Sequence, residues 1–150
     1  MNVELPFDCE WLNRRYKQVL NNGDRAALRR VAKFDEVELL PALYRWFAGI
    51  EPGEPHHRIA FLFPYARHAP KARSLAKQLA AANASEARIL QVARSESPTD
   101  LEYLRRLLRQ LDTALDWYQL GGMLWNWETA KRQLVKDYYL AKYTPAKGDK

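Results

Sequence analysis

Apolar residues recur at helical spacing almost throughout this sequence, and no stretch alternates between apolar and polar residues over a useful length. The clearest case is the leucine run from Leu101 to Leu115, in which Leu104, Leu108 and Leu111 would line one helix face. A period near 3.6 residues indicates amphipathic helices, whereas a period of two would indicate strands. A stripe of this length needs a covering partner. The pattern therefore predicts an all-α fold, a helical bundle without a sheet.

Capping residues, glycines and prolines predict where the helices begin and end. Asp8 is expected to cap the first helix and Asp24 the second. A third helix is expected at 42–48 with Pro41 in its first turn, and a fourth from about residue 56 to Pro64, which should kink or end that helix. A fifth is expected at 71–82 and a sixth after its cap Ser85. A seventh should follow Ser97 with Pro98 at its first position, and the last helical region should run from Asp116 to about Tyr143.

The stretch Glu51-Pro-Gly-Glu-Pro55 is typical of a loop and marks the predicted boundary between two packed lobes. Residues 1–50 would form the N-terminal lobe and residues 51–143 the C-terminal lobe. Residues 144–150 are expected to be a disordered tail. A length of 150 residues fits one domain or two small lobes of this kind.

Several classes of protein and site find no support in the sequence. No apolar run is long enough to cross a membrane and the first residues lack signal-peptide features, so a cytoplasmic protein is expected. Cys9 is the only cysteine, which excludes an internal disulfide. No phosphate loop occurs, and His56, His57 and His68 lack a surrounding acidic cluster. We therefore expect no metal, no cofactor and no catalytic activity.

The basic residues are unevenly distributed along the chain. The net charge is +6, and residues 58–94 contain seven basic residues and one acid, so this segment alone accounts for the whole excess. A solvated basic face is one explanation, and a surface that faces phosphates is the favoured one. Trp46, Trp117, Trp125 and Trp127 lie in apolar periodic stretches, where packing is expected rather than base stacking.

Arginines on rigid helices suit a phosphate backbone, because the guanidinium fork binds two oxygens and stays charged. Arg25, Arg29 and Lys33 are spaced to form one stripe on the second helix. Glu102 and Asp112 could neutralise two arginines of the leucine-rich helix, while Arg88 has no suitable acid near it. The candidate nucleic-acid-binding residues are Arg25, Arg29, Arg30, Lys33, Arg88, Arg94, Arg105, Arg106, Arg109, Lys131 and Arg132.

An ordered series of motifs resembles one protein family. The series consists of Asn22-Gly-Asp-Arg-Ala-Ala-Leu-Arg-Arg-Val31, Pro41-Ala-Leu-Tyr44, Ser74-Leu-Ala-Lys-Gln-Leu-Ala80, Ser85-Glu-Ala-Arg-Ile-Leu-Gln-Val-Ala-Arg94, Leu104-Arg-Arg-Leu-Leu108, Leu115-Asp-Trp117 and Arg132-Gln-Leu-Val-Lys-Asp-Tyr138. Together these motifs resemble Cse2 (CasB), the small subunit of type I-E CRISPR Cascade complexes. Each motif is weak alone, but the unbroken order from about residue 10 to 140 is fairly specific.

The resemblance implies a two-lobed helical protein without enzymatic activity, present as two copies in a crRNA-guided complex with backbone and large subunits. It implies that basic residues contact DNA backbone and stabilise the opened R-loop. The positions carried over are Arg29, Arg30, Arg88, Arg105 and Arg106. The partners implied are other Cascade subunits, a second copy of this chain, crRNA and target DNA.

Three other functions remain open on the sequence alone. The first is a stand-alone helical protein that binds RNA or DNA without sequence preference. The second is a helical adaptor whose basic face meets an acidic protein. The third is an enzyme that assists a nuclease.

Overall fold

The structure is a computed structural model that describes residue 5 and residues 7–144. Its helices are α1 Cys9–Gln18, α2 Asn22–Arg30, α3 Pro41–Trp46, α4 Glu54–Leu62, α5 Leu75–Ala81, α6 Glu86–Arg94, α7 Thr99–Leu111, α8 Trp117–Trp125 and α9 Trp127–Tyr143. A first 3₁₀ turn spans Phe34–Leu39 and a second spans Phe63–Tyr65. The predicted all-α class is confirmed. No helix among these residues is long and apolar enough to cross a membrane.

One small sheet was not predicted. Strand β1, Arg67–His68, pairs in parallel with β2, Ala114–Leu115, so the expectation of no sheet is wrong. Segments of two residues are too short to show a period of two. The bridge ties the segment before α5 to the segment before α8.

Two predicted helix starts are wrong: at α2 another side chain takes the capping role, and α7 begins without a side-chain cap. At α2 the cap is Asn21, whose side chain accepts the Asp24 N–H at 2.8 Å, while the Asp24 carboxylate accepts the Asn21 N–H at 3.3 Å. Asp24 is therefore the third residue of α2 and forms a capping box with the cap residue Asn21. At α7 the cap is Pro98 rather than Ser97. The Asp100 carboxylate turns into the core and does not complete a capping box with Ser97.

Other predicted bounds differ for reasons of backbone conformation. Lys71 has φ 64°, in the left-handed region, so α5 begins only after Ser74, whose hydroxyl accepts the Lys77 N–H. Asn126 is non-helical and divides the last helical region into α8 and α9. Helix α4 already begins at Glu54, inside the predicted loop, and it ends at Leu62 just before Pro64, as predicted.

Buried side chains from both sides of that loop belong to one hydrophobic cluster. Trp46, Trp117 and Trp127 are almost fully buried in it, and their indole N–H groups donate to Leu12 O, Ala66 O and the Asp100 carboxylate. These tryptophans pack, as expected. The division into lobes at residue 50/51 stays a prediction. The predicted disordered tail lies, apart from Thr144, outside the described residues.

A histidine joins the N-terminal ends of α1 and α8. His68 Nδ1 accepts the Trp117 backbone N–H at 3.1 Å, so in the neutral ring the proton lies on Nε2. Nε2 is 3.1 Å from the Glu10 carboxylate. Beside this contact the Tyr118 hydroxyl donates to Asp8 at 2.9 Å. These hydrogen bonds hold the start of α1 against α8.

A buried ion pair joins α7 to α9. Asp100 is fully buried and accepts from Lys131 Nζ at 2.9 Å and from the Trp127 indole N–H at 2.8 Å. Lys131 is 5% exposed and also bonds Ser95 O and Glu128. Burial opposes the charge on Lys131, but the bonds to Asp100 and Glu128 prevail and raise the pKa of the ammonium. Lys131 is therefore a core residue.

Replacing Lys131 by methionine should lower the free energy of unfolding by about 3–5 kcal/mol, because it leaves the buried Asp100 carboxylate without its counter-ion. Urea denaturation followed by circular dichroism measures the change. Lys136→Met, at an exposed position on the same helix, is the control and should change stability by less than about 0.5 kcal/mol. A loss below about 1 kcal/mol for Lys131→Met would show that the pair is dispensable.

Candidate nucleic-acid interface

Three arginines surround a cleft between α6 and α7. Arg88 comes from α6, and Arg106 and Arg109 come from α7. The cleft has a volume of about 260 Å³. Its remaining lining residues are Gln91, Tyr103, Leu107 and Gln110. Sequence reasoning thus places Arg88, Arg106 and Arg109 among the candidates, and the structure brings these three together.

The two helices present these arginines because their opposite faces are committed to the core. Helix α6 buries Ile89 and Val92, which leaves Arg88 exposed. Helix α7 buries the leucine stripe, which leaves Arg106 and Arg109 exposed at i and i+3. Residues three apart are neighbours on a helix surface. The positions of all three guanidinium groups therefore depend on how α6 packs against α7.

Charge around the cleft is uncompensated within the described part of the chain. No described carboxylate lies within 4.0 Å of Arg88, Arg106 or Arg109. Glu102 and Asp112 thus form no ion pair with Arg106 or Arg109, and Arg106 lies 5.7 Å from the centre of the Tyr103 ring. Asp112 is the left-handed C-cap of α7 and makes no ion pair among these residues.

Arg88 is placed against the helix dipole. It is the third residue of α6, where the partial positive charge of the helix N-terminus disfavours a cation. Arg94 and Arg109 lie in the last turns of their helices, where a cation is favourable for that same reason. Helix stability therefore accounts for Arg94 and Arg109 but not for Arg88, and it does not account for Arg106, which is in the interior of α7. A bound anion would stabilise both.

Arg105 points away from this cleft and holds α7 against the end of α2. Its guanidinium donates to Val31 O at 2.6 Å and to Ala32 O at 3.4 Å, and it lies 4.1 Å from the centre of the Phe61 ring. Burial lowers the pKa of Arg105. Carbonyls at a helix C-terminus lack intrahelical donors, so this contact satisfies orphan acceptors. Arg105 thus has a structural role in this chain.

The predicted stripe of Arg25, Arg29 and Lys33 does not form. Helix α2 ends at Arg30, and Lys33 lies beyond it in extended backbone before the first 3₁₀ turn. Arg25 donates to Tyr16 O, Lys17 O and Leu20 O, the carbonyls at the end of α1, and to Asn22 Oδ1. Arg25 is therefore a cap for α1.

Arg29 and Arg30 remain exposed in the last turn of α2. The contacts of Arg105 bring this turn against α7, and the Tyr65 hydroxyl donates to Arg29 O beside it. Arg94 and Arg132 are exposed on α6 and α9, whereas Lys131 is buried with Asp100. The cations therefore divide into a surface set and a set that bonds the protein itself.

Sequence reasoning alone misses Tyr103 and Gln110 as cleft residues. They are seven residues apart on α7, with Arg106 between them at i+3, so helical periodicity was a usable signal. The sequence does not show which residues of α6 face them across the cleft.

Among the described residues no group of three or more histidine, cysteine, aspartate or glutamate side chains could hold a metal ion.

Comparison with known proteins identifies the family. The sequence model described as "CRISPR-associated protein Cse2" matches residues 24–139. This range contains every candidate cation named above. The chain belongs to the Cse2 family. The predicted resemblance is confirmed, and it covers both helices of the cleft.

Two relatives support this membership of the Cse2 family. The chain is 33% identical to the CRISPR system Cascade subunit CasB of Escherichia coli (strain K12), over 89% of this chain and 94% of that protein. It also resembles a chain in a solved structure of E. coli Cascade bound to a PAM-containing double-stranded DNA target. That match has a TM-score of 0.78 and 34% identity, and it covers 87% of this chain and 93% of the other.

Replacing Arg105 by alanine should destabilise this Cse2-family protein by about 2 kcal/mol, because it removes charged hydrogen bonds to two carbonyls and a guanidinium–aromatic contact. The neighbouring Arg106→Ala variant should lie within about 0.5 kcal/mol of the parent, since Arg106 is exposed. Thermal and urea unfolding compare the two. Equal stability of both variants would contradict the structural role of Arg105.

Proposed function

We propose that this chain is a non-catalytic, cytoplasmic small subunit of a type I-E Cascade complex, in which its exposed arginines hold nucleic-acid backbone and stabilise the R-loop. Family membership supports the assembly, since the relatives are a Cascade subunit and a chain of DNA-bound Cascade. The observation that carries the proposed contact is the unpaired Arg88, Arg106 and Arg109 around one cleft.

Guanidinium groups without carboxylate partners are suited to phosphates, because each planar fork donates two parallel hydrogen bonds to one anion. Contacts of this kind position a strand and carry no sequence information. A subunit needs no sequence preference of its own when a guide RNA recognises the target by base pairing. The proposed contact residues are Arg29, Arg30, Lys33, Arg88, Arg94, Arg106, Arg109 and Arg132.

Three of the original candidates are withdrawn from this proposal. Arg25, Arg105 and Lys131 bond carbonyls or a carboxylate inside the protein. Their charge and several of their donors are already engaged there, so less of each is available to a phosphate. The surface set, in contrast, gains an anion without losing a described ion pair.

Even weak phosphate contacts can decide whether DNA stays open. In guide-RNA effectors the exchange of a DNA duplex for an RNA–DNA heteroduplex is nearly balanced in free energy. Added contacts to the backbone therefore shift the equilibrium toward the R-loop. A displaced strand held on the protein is also removed from re-annealing.

The Arg88→Ala, Arg106→Ala double variant should bind duplex target more weakly, because it lacks two proposed phosphate contacts. Each lost contact should also make the slope of log affinity against log salt shallower by about one unit. The effect should be large for fully complementary duplex and small for a single-stranded target, which needs no strand displacement. The measurement is the affinity of the reconstituted complex for both targets at several salt concentrations.

The matched control is Arg14→Ala, Arg73→Ala, which removes two exposed arginines that lie outside the cleft. It should keep the salt dependence of the parent. If the Arg88, Arg106 variant binds duplex DNA as the parent does, the assigned contacts are wrong. If both double variants lose the same affinity, net charge rather than the cleft is responsible.

Affinity purification of the tagged chain should recover Cascade backbone and large subunits, a second copy of this chain and a uniform crRNA. The expectation follows from family membership over residues 24–139. Mass spectrometry and RNA sequencing identify the recovered molecules. Recovery of a single acidic protein would favour the adaptor, and tight nucleic-acid binding without partners would favour the stand-alone binder. Metal-dependent cleavage of nucleic acid would favour the nuclease-assisting enzyme.

A further inference from the structure

We propose that the α6–α7 cleft takes one unstacked nucleobase of a single strand, while its three arginines hold the neighbouring phosphates. This inference rests on the proposed function and names the ligand of the same site. It adds base stacking to a surface that would otherwise contact backbone alone.

The first argument is the shape and lining of the site. Phosphates can be bound on a flat or convex surface, but this site is a concavity of about 260 Å³. Pockets for drug-sized ligands have about 300–1,000 Å³, so a single flat ring system is the better match in size. Leu107, which is 3% exposed, gives the cleft an apolar lining residue that phosphate does not need.

The second argument is the Tyr103 ring. Tyr103 is half-buried and packs against the core, so its ring is held in place beside the cleft. The Arg106 guanidinium is 5.7 Å from the ring centre, at the outer limit of a cation–π contact. Aromatic rings and guanidinium planes are the two protein surfaces on which unpaired bases stack. The cleft has one of each.

The third argument is a pair of free amides. Gln91 and Gln110 are exposed and line the cleft from α6 and α7, and their side chains make no hydrogen bond to any described residue. An amide offers both a donor and an acceptor, as the edge of a nucleobase does. Phosphate oxygens accept only, so they would use half of that capacity.

The strand must be single, because bases in a duplex are stacked and paired and cannot enter a side cleft without being extruded. In an R-loop the displaced strand is unpaired over the length of the heteroduplex. Stacking accepts every base, since every base has a π-face. The proposed pocket therefore fits a subunit that is indifferent to sequence.

The test uses the reconstituted complex and an opened target, in which the displaced strand is not complementary to the target strand. One version of that strand has ordinary nucleotides and the other has abasic residues, with the same number of phosphates in both. The parent should bind the ordinary version at least about fivefold more tightly. Tyr103→Ala should reduce the affinity for the ordinary version to that for the abasic version and leave the abasic affinity unchanged.

Tyr103→Phe keeps the ring and should behave as the parent does, and Tyr44→Ala removes an exposed tyrosine outside the cleft and should have no effect. Gln91→Ala, Gln110→Ala changes only exposed residues and should also reduce the preference for bases, which keeps the test decisive if Tyr103→Ala fails to assemble. Equal binding of both strands by the parent, or equal losses on both in the variants, would overturn the base pocket. Failure of the proposed function is a separate result, in which the Arg88→Ala, Arg106→Ala variant binds both strands as the parent does.

Discussion

The Arg105 guanidinium lies where three helices meet, and the position of the end of α2 against α7 depends on it. It comes from α7, bonds carbonyls at the end of α2 and lies over the Phe61 ring of α4. Val31 and Arg105 are 74 residues apart in sequence, so this one side chain closes a long-range contact. Because α2 is held there, Arg29 and Arg30 are close in the fold to the helix that bears Arg106 and Arg109. The position of two exposed arginines thus depends on a third that is half-buried.

Other arginines likewise bond acceptors within the protein and are not free surface cations. Arg15, Arg25 and Arg58 donate to backbone carbonyls of Trp46, Leu20 and Leu124. Each satisfies acceptors at a helix end or loop that would otherwise lack a donor. A basic composition therefore serves two purposes here, one internal and one at the surface, and net charge alone overstates the charge that is available to a polyanion.

Periodicity predicted the helices well, because each depends on an apolar stripe that is local in sequence. Capping was predicted less well. Asp24 was expected to cap α2, but Asn21 takes that role. The Asp24 carboxylate instead accepts a hydrogen bond from Arg45 of another helix, which holds the pKa of that carboxylate below its usual value, and local sequence does not reveal this contact. The β1–β2 bridge could not be predicted, since two residues carry no pattern.

The candidate contact residues show the same limit. Spacing identified Arg88 and Arg106, since both stand opposite a buried helix face. It also selected Arg25, Arg105 and Lys131, because residue type alone does not distinguish a cation that bonds an internal acceptor from one that is free to bind an anion. The distinction lies in acceptors that are distant along the chain, so only the fold can make it. The family resemblance also assigned Arg105 to DNA backbone, because a motif match compares residue types and not their contacts in the fold.

The cleft is formed by side chains of two helices, and no single rigid element contains it. Helix α6 buries Ile89 and Val92 and helix α7 buries its leucines, so the packing of the core positions both helices and with them the cleft. A change of one methylene in that packing moves the guanidinium groups relative to one another, since protein cores are close-packed and transmit strain. Interior substitutions that never touch a ligand can therefore alter the spacing of the guanidinium groups during evolution, and an alignment of the cleft residues alone would not record it.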